Sequence, residues 1–296
     1  MFKTSNLTAG EKISLVNEIA KIGIQDTPLT SLLMAKGLVG KANGTVQTWR
    51  EKSLDTTDDI SVVEGNESPV FYESGRAELN NILQIFQKGA SISGTANAIN
   101  VTGQGNLFSG EVADRLLEVK VAMEKAITSG ARNDGSLTPF IRKMDGIEKW
   151  AHTSNVLTGA ASGVITEDEI KATVKKLWDQ GNQSGQYFAL VNADLKEQVD
   201  ALYKDKYSYI AQQNVFGLIV DIVRTNYGSV NFVLSRHAAA NKMTIFDAGA
   251  LSLDYLRQPE FTALALTGDS IRGLVTAEAT LRVGSKKAVA QYTLKA

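Results

Sequence analysis

The sequence predicts an α+β chain on three observations. A charged amphipathic run at 109–130, SGEVADRLLEVKVAMEKAITSG, has helical spacing. Past residue 164, two further helix patterns flank the apolar run YFALV at 187–191. From 217 onward, short runs rich in β-branched and aromatic residues are punctuated by turn residues. Helices and strands mixed in this way fit a mixed domain, and no self-similarity occurs at solenoid periods.

Taken in order, the chain opens with a capping box, Thr8 with Glu11, ahead of Ile13, Val16 and Ile19, which predicts a short helix. Pro28 in DTPLTSLL ends any continuation, because it fixes its own φ and drives Thr27 towards an extended conformation. Residues 37–48 are glycine-rich and weakly periodic, and read as an arm. Residues 46–75 hold seven acids (Glu51, Asp55, Asp58, Asp59, Glu64, Glu67, Glu73) against Arg50 and Lys52, a local balance of −5. The apolar bursts Ile60–Val63 and Val70–Tyr72, around Gly65, Asn66 and Pro69, suit a hairpin of short strands. Such a hairpin has too little apolar surface to hold itself together, so it is either a mobile acidic loop or an arm ordered by a neighbouring molecule. At 79–86, Leu79, Ile82, Leu83 and Phe86 keep helical spacing, whereas the isoleucines, asparagines and following SISGT suit a strand.

The 110–129 run is predicted as a helix capped by Ser109 and closed by Gly130 in a left-handed conformation. Val112, Leu116, Val119, Met123 and Ile127 form its apolar stripe, while Glu111 with Arg115 and Lys120 with Glu124 form four-residue pairs on the wet side. Thr166 and Glu169 make a second capping box before a helix with Ile170, Val174, Leu177 and Trp178 inward, ending near Gly181. After the 187–191 strand, Leu195, Val199, Leu202 and Tyr203 share one helix side. Strands are expected at 217–223, 230–235 and 243–247, followed by a terminal hairpin joining RGLVTAEATLRV to AVAQYTL through Gly284, Ser285, Lys286 and Lys287.

Chemistry is sparse. With 296 residues and a formal net charge of −1, the chain has no global basic field for nucleic acid or an anionic membrane. Zero cysteines exclude disulfides, thiolate metal sites and a cysteine nucleophile. The N-terminus lacks the apolar core of a signal peptide, so cytoplasmic synthesis is expected. His152 and His237 lack metal-ligand spacing, and structural or surface roles account for them. GQGNLF at 103–108 has Phe108 where a dinucleotide fingerprint needs its third glycine, and the serines of GNQSG and GAASG fall one place late for a hydrolase elbow. Asp58 with Asp59, and Asp168 beside Glu167 and Glu169, are explained by a solvated hairpin and a helix N-terminus. No catalytic residue, cofactor or metal is predicted.

One resemblance spans most of the chain. Gln84, Ile85, Phe86, Lys88, Ser93 and Thr95 form a QIF-x-K-x-x-x-x-S-x-T pattern. Further along stand Thr225 with Tyr227 and Gly228, Arg236, Asp247, Leu256 with Arg257, Thr267 to Asp269, and Glu278 with Thr280 and Leu281. In this order they resemble the major capsid proteins of tailed bacteriophages, whose Hong Kong-type fold is shared with encapsulin shells. The first 45 residues match only through the DTP turn. The resemblance takes 79–86 as strand.

It implies an N-terminal arm (1–45), an extended hairpin (46–100), a spine helix and peripheral domain (101–165), an axial domain (166–248) and a C-terminal return to the peripheral domain (249–296). It further implies self-assembly in pentamers and hexamers into an icosahedral shell around double-stranded DNA, bound without sequence specificity. Portal and scaffolding or decoration proteins are implied partners, no membrane is involved, and the location is the virion, after assembly in the host cytoplasm. An encapsulin-like compartment is the alternative, and a soluble α+β enzyme a weaker one. Some relatives cross-link through a hairpin lysine, but around Lys52 no matching pattern exists. From 271 onward Arg272, Arg282, Lys286, Lys287 and Lys295 oppose only Glu278, a balance of +4. The expectation is that Asp55, Asp58, Asp59, Glu64 and Glu67 of one subunit meet Arg272, Arg282, Lys286 and Lys287 of another, setting register and rate more than affinity.

Overall fold

A computed structural model describes residues 26–54, 58–68, 71–98, 107–136, 138–182, 184–203, 210–215, 218–265 and 268–295. The expected capping box at Thr8 and Glu11 falls outside these residues, as do Asp55 and Val70.

The first described helix, α1 (Pro28–Ala35), starts at the predicted turn with Pro28 in its first position, where a missing N–H costs nothing. Strands β1 (Val39–Lys41), β2 (Val46–Ser53), β3 (Gly75–Ile82) and β4 (Gln84–Ser93) follow, then the short α2 (Gly94–Ala98). The 79–86 tract is therefore strand. Its helical spacing arises because Leu83, between β3 and β4, resets the alternation: Leu79, Ile82, Leu83 and Phe86 are all buried although no helix joins them. The hairpin is real, but its strands are not the apolar bursts. Val46–Ser53 pairs antiparallel with Gly75–Ile82 over eight residues, while 58–68 and 71–74 carry no strand.

Helix α3 (Leu107–Ser129) begins two residues before Ser109, which lies inside the first turn and is not its cap. Nor does Gly130 turn left-handed. Its amide still donates to Ala126 O at 3.0 Å, and a Cβ there would sit 2.3 Å from that oxygen and 2.7 Å from Met144 O. Glycine is required by the close approach of Met144–Gly146, whose Gly146 N–H donates to Gly130 O. The stripe is buried at Val119, Met123 and Ile127. Glu124, expected on the wet side with Lys120, is instead completely buried. Its carboxylate accepts from Leu29 N (2.8 Å), Thr30 N (2.8 Å) and Thr30 Oγ1 (2.6 Å), closing the N-terminus of α1.

The chain continues through β5 (Asn133–Asp134), β6 (Arg142–Lys143), β7 (Val156–Ser162), α4 (Glu167–Asp179), β8 (Gln186–Val191), α5 (Ala193–Tyr203), β9 (Ile210–Val215), β10 (Leu218–Thr225), β11 (Gly228–Leu234), β12 (Lys242–Phe246), β13 (Leu251–Ala263), β14 (Ser270–Val283) and β15 (Val289–Lys295). Seven strands form one mixed sheet in the order β7-β15-β12-β8-β11-β10-β9. Alternate residues Tyr187, Ala189 and Val191 of β8 join Ile170, Val174 and Leu177 of α4 and Leu195, Val199 and Tyr203 of α5 in one hydrophobic core. On the opposite alternation Phe188 stacks on Phe246 (6.2 Å), with the Lys36 ammonium 4.7 Å from the Phe188 ring. Burial on both faces explains why YFALV is continuously apolar.

Two corrections concern packing. Trp178 is not inward: it is 56% exposed and lies 5.8 Å from the Tyr227 ring. The terminal hairpin does not form, for β14 belongs to a second sheet ordered β1-β13-β14-β4 while β15 pairs with β12 and β7. Between them, Ser285 caps a turn at Lys286–Ala288 by accepting from Lys287 N.

The chain divides into two units. The smaller includes Phe86–Met123 and Arg257–Ala277. Inside it Phe108 and Phe261 meet edge to face at 5.8 Å, over Gly273, and Lys88 pairs with Glu118 at 2.9 Å. Thr27–Ile85, Glu124–Leu256 and Glu278–Ala296 form the larger.

Candidate assembly surfaces

The β2–β3 ribbon belongs to the larger unit and is firmly rooted at one end. Asn81, fully buried, donates through Nδ2 to Leu281 O (2.8 Å) and Asp145 O (3.0 Å) and accepts at Oδ1 from Ile82 N and Asp145 N. All four of its amide hydrogen-bonding positions are used, which fixes β3 against β14. Trp49 of β2 packs on Trp150 at 5.4 Å, and Glu51 is hydrogen-bonded to Ser285. Gln47 Nε2 donates to Asp254, a buried carboxylate that also holds Ser252 Oγ and Arg282 Nε (3.2 Å).

The other end is bare. Gly75–Glu78 and every described residue of 58–68 and 71–74 are exposed. Ile60 is 77% exposed, Val63 82% and Phe71 90%. Local bonds shape the loop without covering it: Asp59 accepts from Ser61 N, Asn66 accepts from Ser68 N, and Gly65 takes φ +80°. The Ser61 hydrogen bonds hold the Asp59 carboxyl below the usual range.

Of the residues expected at subunit contacts, Asp58, Asp59, Glu64 and Glu67 stand together on this exposed loop. Each of the expected cations has its own surroundings. Arg272 lies in the smaller unit and donates through Nε to Ser270 Oγ, while Arg282 is drawn inward to Asp254. Lys287 is half-buried, with its carbonyl accepting from Asn155 and Asn182. Lys286 is exposed, its ammonium 5.7 Å from the Trp150 ring, on a cleft of about 180 Å³ that sequence reasoning missed. Glu78, Leu79, Asn80, Arg132, Asp145 and Lys149 complete the lining of that cleft with Trp150. Its residues come from four distant stretches, so no local signal marked it.

No group of three His, Cys, Asp or Glu suited to a metal occurs among the described residues. His152 accepts from Ser154 N and caps a short turn. Among the described residues no helix is long and apolar enough to cross a membrane.

The family model of the SU10 major capsid protein matches residues 3–295. A curated relative, the major capsid protein of Escherichia phage Phieco32, is 31% identical over 135 residues. That stretch covers 42% of this chain and 35% of the relative, so the chain spans about a third of that protein's length. Among solved structures, the Cyanophage A-1(L) capsid asymmetric unit superposes with a TM-score of 0.66 at 10% identity, covering 99% of this chain and 98% of that one. The holo-SrpI encapsulin complex of Synechococcus elongatus PCC 7942 gives 0.63 at 10% identity, covering 93% and 91%. At such identities the structures establish a shared capsid fold. The match from residue 3 to residue 295 places the chain in the SU10 major capsid protein family.

Proposed function

We propose that many copies of this chain assemble through symmetric contacts, as pentamers and hexamers, into an icosahedral phage head around double-stranded DNA. The observation that carries this reading is the ribbon, anchored by Asn81 and Trp49 at its base and exposing Ile60, Val63 and Phe71 at its tip. A monomer has no use for a rigidly mounted apolar loop in water; a neighbour that covers it does. In this reading 1–45 is an arm, 46–100 the extended hairpin, 101–165 with 249–296 the peripheral domain and 166–248 the axial domain. The loop acids Asp55, Asp58, Asp59, Glu64 and Glu67 then lie at contacts between copies. Packaged DNA is held without base recognition, portal and scaffolding or decoration proteins complete the head, and assembly takes place in the host cytoplasm before the protein resides in the virion.

Negative-stain imaging and light scattering of the purified chain test the proposal: closed shells are expected, and a compact monomer at all concentrations would sink it. The encapsulin-fold match supports a second reading, a compartment enclosing protein cargo. Nuclease-protected DNA in particles from infected cells separates the two.

A further inference from the structure

Three places in the chain set an asparagine or aspartate directly before a glycine: Asn43–Gly44, Asp134–Gly135 and Asp145–Gly146. Such pairs carry a latent reaction, because glycine has no Cβ to shield its amide nitrogen from the preceding side-chain carbonyl. The fold closes two of them. Gly135 N donates to Asn133 Oδ1 (3.0 Å), and the Asp134 carboxylate accepts from Ser136 N (2.9 Å). Gly146 N donates to Gly130 O (3.0 Å), and the Asp145 carboxylate accepts from Arg132 N (3.0 Å). In both pairs the attacking amide is tied to an acceptor and the carboxylate to a donor.

Asn43–Gly44 is open. Asn43 is exposed, and neither its side-chain amide nor the Gly44 N–H makes a hydrogen bond among the described residues. A Cβ built at Gly44 would meet only Val46 O, at 3.8 Å, so space surrounds the pair. It lies in the bend between β1 and β2, and both ends of that bend are held: Ala42 N donates to Tyr255 O (2.9 Å), and Thr45 O accepts from Leu83 N (3.0 Å).

We propose that Asn43 is a site of spontaneous covalent modification, converting to isoaspartate and aspartate with water as the co-reactant. The Gly44 nitrogen attacks Asn43 Cγ; the N–Cγ bond forms as Cγ–Nδ2 breaks, and ammonia leaves with the proton that the Gly44 amide gives up. Water then opens the resulting five-membered imide. Opening at Cγ leaves aspartate, whereas opening at the main-chain carbonyl leaves isoaspartate, whose backbone runs through Cβ and Cγ and is one methylene longer. Either product adds a negative charge. Isoaspartate also changes the span between the two anchored ends, which loosens the Thr45–Leu83 hydrogen bond at the root of the ribbon. The modification goes beyond the assembly proposed above and does not depend on it.

Peptide mapping by mass spectrometry tests it on the full chain, aged at mildly alkaline pH both folded and in urea. Folded Asn43 is expected to convert within about threefold of its rate in urea, whereas isoaspartate at Asp134 and Asp145 should form about tenfold or more slowly than in urea, since it waits for local opening. Gly44→Ala, which the free space accommodates, should slow conversion about tenfold or more by shielding the nitrogen. Asn43→Gln, which would have to close a six-membered ring, should lose it. In aged chain enriched in isoaspartate, hydrogen exchange at the Leu83 amide should rise about tenfold, while Asn43→Asp, which adds the charge without the methylene, leaves it unchanged. An Asn43 that folding slows as strongly as the two aspartates overturns the site. Conversion that leaves Leu83 exchange unmoved overturns the loosening of the ribbon's root. Neither result bears on whether the chain forms shells.

Discussion

Replacing Glu124 by alanine would strand three donors at once, the amides of Leu29 and Thr30 and the Thr30 hydroxyl. A buried donor left unpaired costs about 1–3 kcal/mol, so Glu124→Ala should lower unfolding free energy by about 3 kcal/mol or more in urea titrations. The same carboxylate sets a pH dependence. Burial raises its pKa above the ordinary 4.5, with the bonds from Thr30 and Leu29 only partly opposing it, and burial likewise raises Glu148. A group with a raised folded pKa gives a stabilising contribution that is complete below its unfolded pKa and is lost as pH rises through the folded one. Stability should therefore decline upward from about pH 4.5, and Glu124→Gln, which cannot titrate, should flatten that slope. An unaltered slope in the variant would assign it elsewhere. In the smaller unit, Gly273→Ala would put a Cβ 2.0 Å from Phe261 Cε2, with Phe108 3.3 Å behind. Overpacking of this kind costs about 1–3 kcal/mol, and trimming the ring with Phe261→Leu should recover part of the lost thermal stability.

At the scale of elements, α4 shows how one cap ties a helix to a sheet. Thr166 accepts from Glu169 N, and Glu169 reciprocates to Thr166 N (2.9 Å) while also accepting from Ala160 N on β7 (2.7 Å) and Tyr292 Oη on β15 (3.0 Å). Thr166→Ala should cost about 1 kcal/mol. Glu169→Ala should cost more, because it also frees β7 and β15 from the helix. Burial pushes the Glu169 pKa up, but the hydrogen bonds from Ala160, Thr166 and Tyr292 outweigh it and hold it below the ordinary value. Its contribution is thus present above the unfolded pKa and lost as pH falls through the folded one, opposite in sign to Glu124. Urea midpoints measured across acid pH should show Glu169→Gln flattening the acid limb alone. This capping box was legible in the sequence because both partners lie within four residues, and the same locality made α5 and β8 legible. The Glu124 clasp was not, since its partners stand 94 and 95 residues away and an acid three positions before Ile127 reads as the edge of a solvated face. Nor could turn chemistry at Gly284 and Ser285 reveal that β15 would choose β12, pairing Ala290 with Ile245, over its sequence neighbour β14. At the candidate site the loop's acids were readable from composition, whereas the cleft, gathered from four stretches, existed only after folding.

For the whole molecule, the proposed assembly assigns fold stability and assembly to different residues, and this separation can be measured. Asn81, Trp49 and Leu79 root the ribbon in the subunit, so substitutions there would disturb folding and assembly together. Ile60 and Phe71, 77% and 90% exposed, contribute almost nothing to the isolated subunit's core. Ile60→Ser with Phe71→Ser should therefore leave unfolding free energy within about 0.5 kcal/mol of wild type, as surface substitutions do. Once a neighbour covers the loop the balance changes. Full burial of each side chain is worth about 1.5–3 kcal/mol, and even partial burial of both exceeds the 1.4 kcal/mol that corresponds to a tenfold change in an equilibrium. In the proposed assembly each copy donates one such loop, so the loss would recur at every subunit of the shell. The expected result is an assembly threshold raised at least tenfold, read by light scattering, with an unchanged urea midpoint and no restoration by salt. That insensitivity to salt would separate the apolar contribution from any contribution of the loop's carboxylates, which ionic strength screens. If both side chains can be removed without moving the threshold, the loop is not an assembly element, and its exposure in the subunit needs another cause.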